Sequence, residues 1–317
     1  MLKTEVEFPM TDKEKYRKFS ETEKTIPIFS KGWWMDAVCG DQWDVILIEE
    51  NGQILASLPY YFVEHDGLKE IRKAPLTQNN GIWIHYPQNQ KYENKLSLEH
   101  RLMDLVIDKI EALNVHKYQQ YFHYSIQNHL PFFWRGYTQT TRYTYVIEDT
   151  SKVDELVKNF SSSIRNTIRK ASKTVMVEED LDIEQFYNLN KLTYERQNLS
   201  IPYSFDLVSR IDEACKMRNA RKIYYCLDDE KHIHSAAYFV WDDESVYYLM
   251  AASDPVYRSS QSLSLLIYEG IKLANRLGKK FDFEGSMKKN IEKHFRQFGA
   301  KQFAYHHIQK TFNGGDS

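Results

Sequence analysis

The sequence predicts an α/β protein made of two similar halves, each a mixed sheet flanked by helices. Three observations carry that prediction. Between Val246 and Phe283 the chain reads as strand, polar loop, helix and second strand. The same order of elements occurs earlier in the chain. The length of 317 residues, 42% of them hydrophobic, is enough for two ordinary cores.

In the first half, strand signals run through Trp43 to Glu49, Ile54 to Val63, Ile71 to Ala74 and Gly81 to His85, where β-branched and aromatic residues suit a half-buried sheet. Asn51-Gly52 marks a tight hairpin between the first two. A helix is expected from about Ser97 to Leu113, followed by a strand from Tyr118 to Tyr124. An aromatic knot, Asn128 to Gly136, closes the half.

The second half repeats this order. Strands are expected at Lys222 to Leu227, Ile233 to Trp241 and Val246 to Met250, with Asp228-Asp229 as the first turn. A Ser-rich loop, Ser253 to Ser262, leads into a helix whose Leu263, Leu266, Ile267, Ile271, Ala274 and Leu277 share one face. Ser259, Ser260 and Ser262 are candidate N-caps, and Gly278 stands where a left-handed terminal residue belongs. Phe281 to Phe283 resumes the sheet, and a second aromatic knot, Asn290 to Gly299, closes the half. Even Asp36-Ala37-Val38-Cys39 and Asp212-Glu213-Ala214-Cys215 hold matching places. The join falls near Glu148 to Ser151, giving domains 1–148 and 149–317.

The composition excludes several classes. The formal charge of -2 names no partner by itself, and no stretch approaches a transmembrane run, so a soluble protein without an integral membrane segment is expected. The start, Met1 to Pro9, lacks the apolar core of a signal peptide, which makes the cytoplasm the expected compartment. Cys39, Cys215 and Cys226 are odd in number and far apart, which suits buried thiols rather than a disulfide framework or a zinc knuckle. His232 and His234 would share one strand face, but no third ligand is evident, and no metal is assigned. No Walker loop, dinucleotide fingerprint or Ser-His-Asp order is present. Asn313 to Ser317 reads as a disordered tail.

Charge is unevenly spread. Between Glu155 and Glu178 there is no acid, and the apolar residues Val157, Phe160, Ile164, Ile168 and Ala171 predict a helix on which Arg165, Arg169 and Lys173 step by four along another face. One reading is a solvated face neutralised by Glu178-Glu179-Asp180. The other is a binding site for a phosphate or carboxylate.

Five segments in order carry a resemblance: Ile26-Pro27-Ile28-Phe29 with Trp33-Trp34, Leu76 to Gly81, Trp134-Arg135-Gly136-Tyr137, Ser163 to Lys173, and Phe281-Asp282-Phe283-Glu284-Gly285-Ser286 through Gln297-Phe298-Gly299-Ala300. Together they resemble the FemAB-like branch of the GNAT acyltransferase superfamily, over nearly the whole chain. The resemblance implies two tandem GNAT-like domains, the second carrying the active site. It also implies transfer of an acyl or aminoacyl group to an amine. The best-known members are bacterial, extend peptidoglycan cross-bridges and take amino acids from charged tRNA. It therefore implies an amine acceptor such as a peptidoglycan precursor, with charged tRNA or a coenzyme A thioester as donor, and no DNA partner.

Two departures bear on that implication. Coenzyme A-binding GNAT loops are glycine-rich, whereas Asp254 to Ser262 contains no glycine, leaving Arg258, Ser259, Ser260 and Gln261 to hold the donor at the helix start. Relatives carry Phe-Lys before the last glycine, where this chain has Phe295-Arg296.

The chemistry needs a proton acceptor for the amine, an N–H for the oxyanion where strands part, and a proton or cation for the leaving group. Glu284 at a strand's carboxyl end is the candidate base, Tyr248 the candidate acid, and Arg296 the candidate cation. The first two are expected to converge with the start of the Ser259 helix. Arg165, Arg169 and Lys173 are the candidate substrate-binding residues. A non-catalytic module that keeps the groove without the chemistry is the rival, and a donor channel filled by side chains from Pro255 to Gln261 would favour it.

Overall fold

A computed structural model describes residues 10–312. The first nine residues and residues 313–317, on which the signal-peptide and tail expectations rest, lie outside the described part. Contacts group the described chain into two compact units, one ending at Gln139 and completed by residues from His307 onward, the other spanning Thr140–His306. Residues 140–148 thus group with the second unit, where the end of their strand pairs through Val146 and Ile147 with Asp282 and Phe281.

In the first unit, helix α1 (Asp12–Thr22) opens on a capping box: the Glu14 N–H donates to the Thr11 hydroxyl at 3.2 Å and the Thr11 N–H to the Glu14 carboxylate at 2.8 Å. Helix α2 (Gly32–Cys39) follows, then strands β1 (Trp43–Glu50) and β2 (Gln53–His65). Asn51 and Gly52 both take positive φ between them, as a two-residue hairpin requires. Next come β3 (Leu68–Arg72), β4 (Trp83–Ile84), helix α3 (Tyr92–Ala112), β5 (Lys117–Tyr121) and the short helix α4 (Leu130–Trp134). β3 and β5 pair in parallel, and residues 307–311 of the last strand pair antiparallel with β5. Leu102, Met103, Val106, Ile107 and Ile110 form the buried stripe of α3, packed with Ile46, Leu58 and Tyr118.

The strand expected at Gly81 to His85 shrinks to two residues, and Leu76 to Gly81 is irregular. Its polar side chains bond to residues far away in the sequence instead: the Trp34 indole N–H donates to the Thr77 hydroxyl at 3.0 Å, and the Asn80 amide to the Pro59 carbonyl at 3.4 Å.

The second unit contains most of β6 (Thr138–Ile147), α5 (Val153–Asn159), α6 (Ser162–Ala171), β7 (Met176–Glu179), α7 (Ile183–Glu195), α8 (Phe205–Met217), β8 (Arg221–Leu227), β9 (Ile233–Trp241), β10 (Ser245–Ser253), α9 (Leu263–Leu277), β11 (Lys280–Asp282), α10 (Lys289–Arg296) and the first part of β12 (Lys301–Thr311). The sheet order is β6-β11-β10-β9-β8-β7, with β10 and β11 parallel and the neighbouring pairs around them antiparallel. Each unit therefore holds a parallel strand pair joined by one long crossover helix, α3 in the first and α9 in the second. In α9, Leu266, Ile267, Ile271 and Ala274 are fully buried; each large side chain contributes roughly 1.5–3 kcal/mol by leaving water. Gly270 lets the helix sit close to the sheet, since a Cβ there would lie 2.3 Å from the Phe239 ring.

The helix expected through Glu155 to Lys173 is two helices. Ser161 breaks it, taking extended backbone (ψ 149°) while its hydroxyl accepts the Ile164 N–H at 3.2 Å as the cap of α6. The turn after β8 is longer than the Asp228-Asp229 pair, with Lys231 supplying the positive φ. All three cysteines are buried free thiols. Among the described residues no helix is long and apolar enough to cross a membrane.

Candidate active site

The site is built where β10 leaves β11. The two strands pair through Ser245, Val246 and Tyr247 against Lys280, Phe281 and Asp282; β11 then ends, while β10 continues to Ser253. Against its other neighbour, β10 slips register between Tyr248 and Met250, so Leu249 is the extra residue of a β-bulge. Helix α7 fastens the far end of the strand. The Asn190 amide donates to the Ala251 carbonyl at 2.6 Å, the Thr193 hydroxyl donates to the Ser253 carbonyl at 3.3 Å, and the Ser253 N–H donates to that hydroxyl at 2.9 Å. Tyr203 holds Asn190 in turn, its hydroxyl 2.7 Å from the amide oxygen.

Over this stretch of β10 lies a cavity of about 710 Å³. Its walls are Tyr248 and Ala251 to Ser253 of the strand, the loop from Asp254 with Arg258, the start of α9, Thr193 and Arg196 at the end of α7, and Asn290, Ile291, His294 and Phe295 of α10. It is open, and of the residues Pro255 to Gln261 it is lined by Pro255, Arg258, Ser260 and Gln261.

The loop manages without glycine. Arg258 to Ser260 form a single 3-10 turn, and Gln261 takes the left-handed backbone (φ 53°, ψ 26°) that a glycine would otherwise supply. The Ser262 hydroxyl is engaged with Ser235 at 2.7 Å and Ser260 at 3.2 Å, so α9 begins with no side-chain cap, and the Ser264 and Leu265 N–H groups donate to the Gln261 and Ser262 carbonyls at 3.1 and 3.0 Å. Of the three serines expected to cap this helix, Ser262 holds the N-cap position but makes no side-chain cap bond, and Ser259 and Ser260 lie in the turn before it.

Beside the cavity, sharing Ser260 and Gln261 with it, is a polar groove of about 310 Å³ lined on the other side by Ser163, Asn166, Thr167 and Lys170 of α6. These four lie at i, i+3, i+4 and i+7, one face of the helix. It is a different face from the stripe singled out in the sequence. Arg165 folds back to donate to the Lys158 and Phe160 carbonyls at 3.0 and 2.5 Å, and Arg169 donates to the Asn166 side chain at 3.1 Å. Lys173 stands in the turn after α6. The acidic run 178–180 does not neutralise this helix; Glu179 and Asp180 pair with Lys222, and Asp180 also with Arg221, across β7 and β8.

The other candidates distribute as follows. Tyr248, Arg258, Ser260 and Gln261 line the cavity, and Ser259 lines the groove. Tyr248 is buried, and burial pushes its hydroxyl pKa up, so it holds its proton. Glu284 occupies a left-handed corner just past β11 (φ 57°) and is outside the cavity wall. Arg296 is not among the residues lining the cavity and pairs with Glu292 at 3.2 Å. Tyr248 and the helix start therefore meet; Glu284 and Arg296 are not among the residues lining their cavity. Sequence reasoning missed Arg196, Asn190, Thr193, His294 and Asp282. Asp282 was quoted only as part of a motif, yet it is buried with its pKa raised to about 6 by desolvation.

A bulged strand parting from its parallel neighbour over a cavity at a helix start is accompanied by a direct family match. Residues 158–290 match the acetyltransferase (GNAT) domain model. This stretch is a GNAT domain. Among solved structures, FemX is similar with a TM-score of 0.70 at 14% identity, covering 94% of this chain and 96% of that one. A tandem GNAT protein from the clavulanic acid biosynthesis pathway, solved without AcCoA, gives 0.52 at 8% identity, covering 92% and 99%. L-PGS from Bacillus licheniformis gives 0.50 at 7% identity, covering 86% of each chain. No curated protein matches in sequence. The GNAT domain falls within the second unit, and the fold is that of the FemAB-like branch which the five sequence segments resemble.

Proposed function

We propose that the GNAT domain is an N-acyltransferase whose acyl donor occupies the cavity at the β10 bulge. The bulge itself carries the reading. Past Tyr247 and Asp282 the edge of β10 is released from β11 and forms one wall of an open cavity. An extended donor arm can add to such an edge as a strand does, and its carbonyl can meet an N–H that the parting strands leave exposed. The protonated Tyr248 hydroxyl is placed to protonate the leaving sulfur or oxygen.

The far end of the donor is anionic in this reading. The positive end of the α9 dipole favours negative charge, Arg196 and Arg258 add cations, and the groove lined by Lys170 supplies hydroxyl, amide and ammonium donors with no acid among its walls. A compact groove of this kind suits the phosphates of a coenzyme A thioester better than an extended nucleic-acid track. The likeness to the FemAB-like branch favours the amine of a cell-wall precursor as acceptor.

A thermal-shift screen of the purified protein tests the reading, with acetyl-coenzyme A, charged tRNA and cell-wall precursors as ligands. A rise in melting temperature with acetyl-coenzyme A, abolished in Arg258→Gln combined with Lys170→Gln, is the expected result. A shift with charged tRNA alone would keep the acyltransferase and replace its donor.

A further inference from the structure

An amine that attacks a carbonyl must shed a proton, and the described residues lining the cavity include only two side chains able to take one, Asp254 and His294. Asp254 is committed to its own loop, where its Oδ1 accepts the Val256 N–H at 2.8 Å beside Pro255. His294 stands on α10, partly buried, with its ring edge-on to Phe298 at 5.4 Å. Phe295 links it to the strand: its ring lies 6.3 Å from His294 and 6.1 Å from Tyr248, so base and acid candidates flank one phenyl ring in one cavity wall.

We propose that His294 is the catalytic base of the acyl transfer, taking the proton that the attacking amine sheds. This rests on the acyltransferase reading above. Burial lowers the His294 pKa below its ordinary 6.5, so the imidazole is neutral and able to accept at neutral pH. Burial raises that of Tyr248, so the phenol keeps its proton. Two groups whose environments push them in opposite directions are the arrangement that acid–base chemistry near neutrality needs.

The step balances without any further reagent. The amine nitrogen bonds to the donor carbonyl carbon as the carbon–sulfur or carbon–oxygen bond breaks. The nitrogen's proton passes to a ring nitrogen of His294, and the departing thiolate or alkoxide takes the Tyr248 hydroxyl proton. One proton exchanged through solvent from imidazolium to phenolate resets the site. The charged groups lining the cavity are Arg196 at the end of α7 and Arg258 and Asp254 from the loop; Glu292, Lys293 and Arg296 are the charged neighbours of His294 on α10, outside the lining.

The experiment uses the full chain, acetyl-coenzyme A as donor and ethylamine as acceptor. It compares wild type with His294→Gln and His294→Ala, reading kcat/KM from pH 5 to 9 and coenzyme A affinity by titration. With both the base and the free amine limiting, the wild-type log profile has a slope near two at low pH. It breaks to about one on the acid side of pH 6.5, where the imidazole loses its proton. In His294→Gln the slope is near one throughout, the rate at pH 7.5 falls about 100-fold or more, coenzyme A affinity holds, and added imidazole restores part of the rate of His294→Ala. A variant that keeps both rate and break overturns the proposal and leaves the acyltransferase intact. Loss of rate together with coenzyme A affinity makes His294 a packing residue and overturns it as well. Wild type that transfers no acyl group from acetyl-coenzyme A or charged tRNA to any amine overturns both.

Discussion

The buried carboxylate of Asp282 accepts the backbone N–H of Glu284 at 2.7 Å, and this bond holds the corner at which β11 stops and leaves β10 unpaired. Thr144 donates its hydroxyl to the same oxygen. Glu284 and Gly285 then take left-handed backbone in succession, with φ of 57° and 66°.

Because the Asp282 pKa is raised by burial to about 6 from an ordinary 3.8, the folded state favours the protonated acid. Its contribution to stability is complete below about pH 3.8 and is lost as pH rises through 6, roughly 3 kcal/mol in all. Asp282→Asn has no proton to lose there. Urea unfolding of wild type and variant between pH 4 and 7 should therefore differ in slope, the variant holding its midpoint while wild type declines. Parallel curves would mean that Asp282 titrates outside this window.

Gly285→Ala tests the corner itself. A Cβ at that position would lie 2.0 Å from the Tyr143 carbonyl oxygen, and the left-handed backbone adds strain for any side chain. The substitution should destabilise the protein by about 2 kcal/mol or more, seen as a lowered melting temperature.

Asn190→Ala removes the donor that satisfies the Ala251 carbonyl and leaves the Tyr203 hydroxyl without its acceptor. A loss of roughly 1–3 kcal/mol is expected, with weakened donor binding, because the bulged strand then keeps only the Thr193 bonds to Ser253 as its fastening to α7. Unaltered donor affinity would show that the strand holds its shape without that helix.

The two faces of α6 predict different outcomes. Lys170→Gln should weaken coenzyme A binding and flatten its salt dependence, whereas Arg165→Gln, whose guanidinium caps backbone carbonyls of α5, should lower stability and leave binding alone. Titration at two salt concentrations separates them; the reverse pattern would restore the stripe of Arg165, Arg169 and Lys173 to the binding role.

Much of the fold was legible because its signals are local. β-Branched and aromatic residues marked β8 to β10, the apolar face of Leu266, Ile267, Ile271 and Ala274 marked α9, and Asn51-Gly52 marked the first hairpin. What failed depended on distant partners. Nothing near Gly81 announces that the side chains of the preceding residues bond to Trp34 and Pro59 in place of regular strand pairing. Ser161 is one serine among three, and only its backbone geometry makes it the cap that splits the helix.

The site was half legible. A strand, loop and helix start can be read in order, which found Tyr248, Arg258, Ser260 and Gln261. Glu284 drew attention as a charged residue at a strand end, but the left-handed corner it occupies takes it out of the cavity wall. His294 was hidden inside an aromatic knot, where the neighbouring Arg296 looked the stronger candidate until its ion pair with Glu292 was seen. Arg196 and Asn190 come from α7, far away in sequence, and only folding brings them to β10.

The central claim is that acyl transfer to an amine takes place in the cavity over the β10 bulge. The most direct measurement is mass-spectrometric detection of amide product from acetyl-coenzyme A or charged tRNA and a panel of amines. Wild type would be compared with Ala251→Phe, which puts a ring into that cavity, and Tyr248→Phe, which removes the hydroxyl proton. The account predicts product from wild type, none from Ala251→Phe, and slowed formation with retained donor affinity from Tyr248→Phe. Product formed at the wild-type rate by a folded Ala251→Phe protein would contradict it.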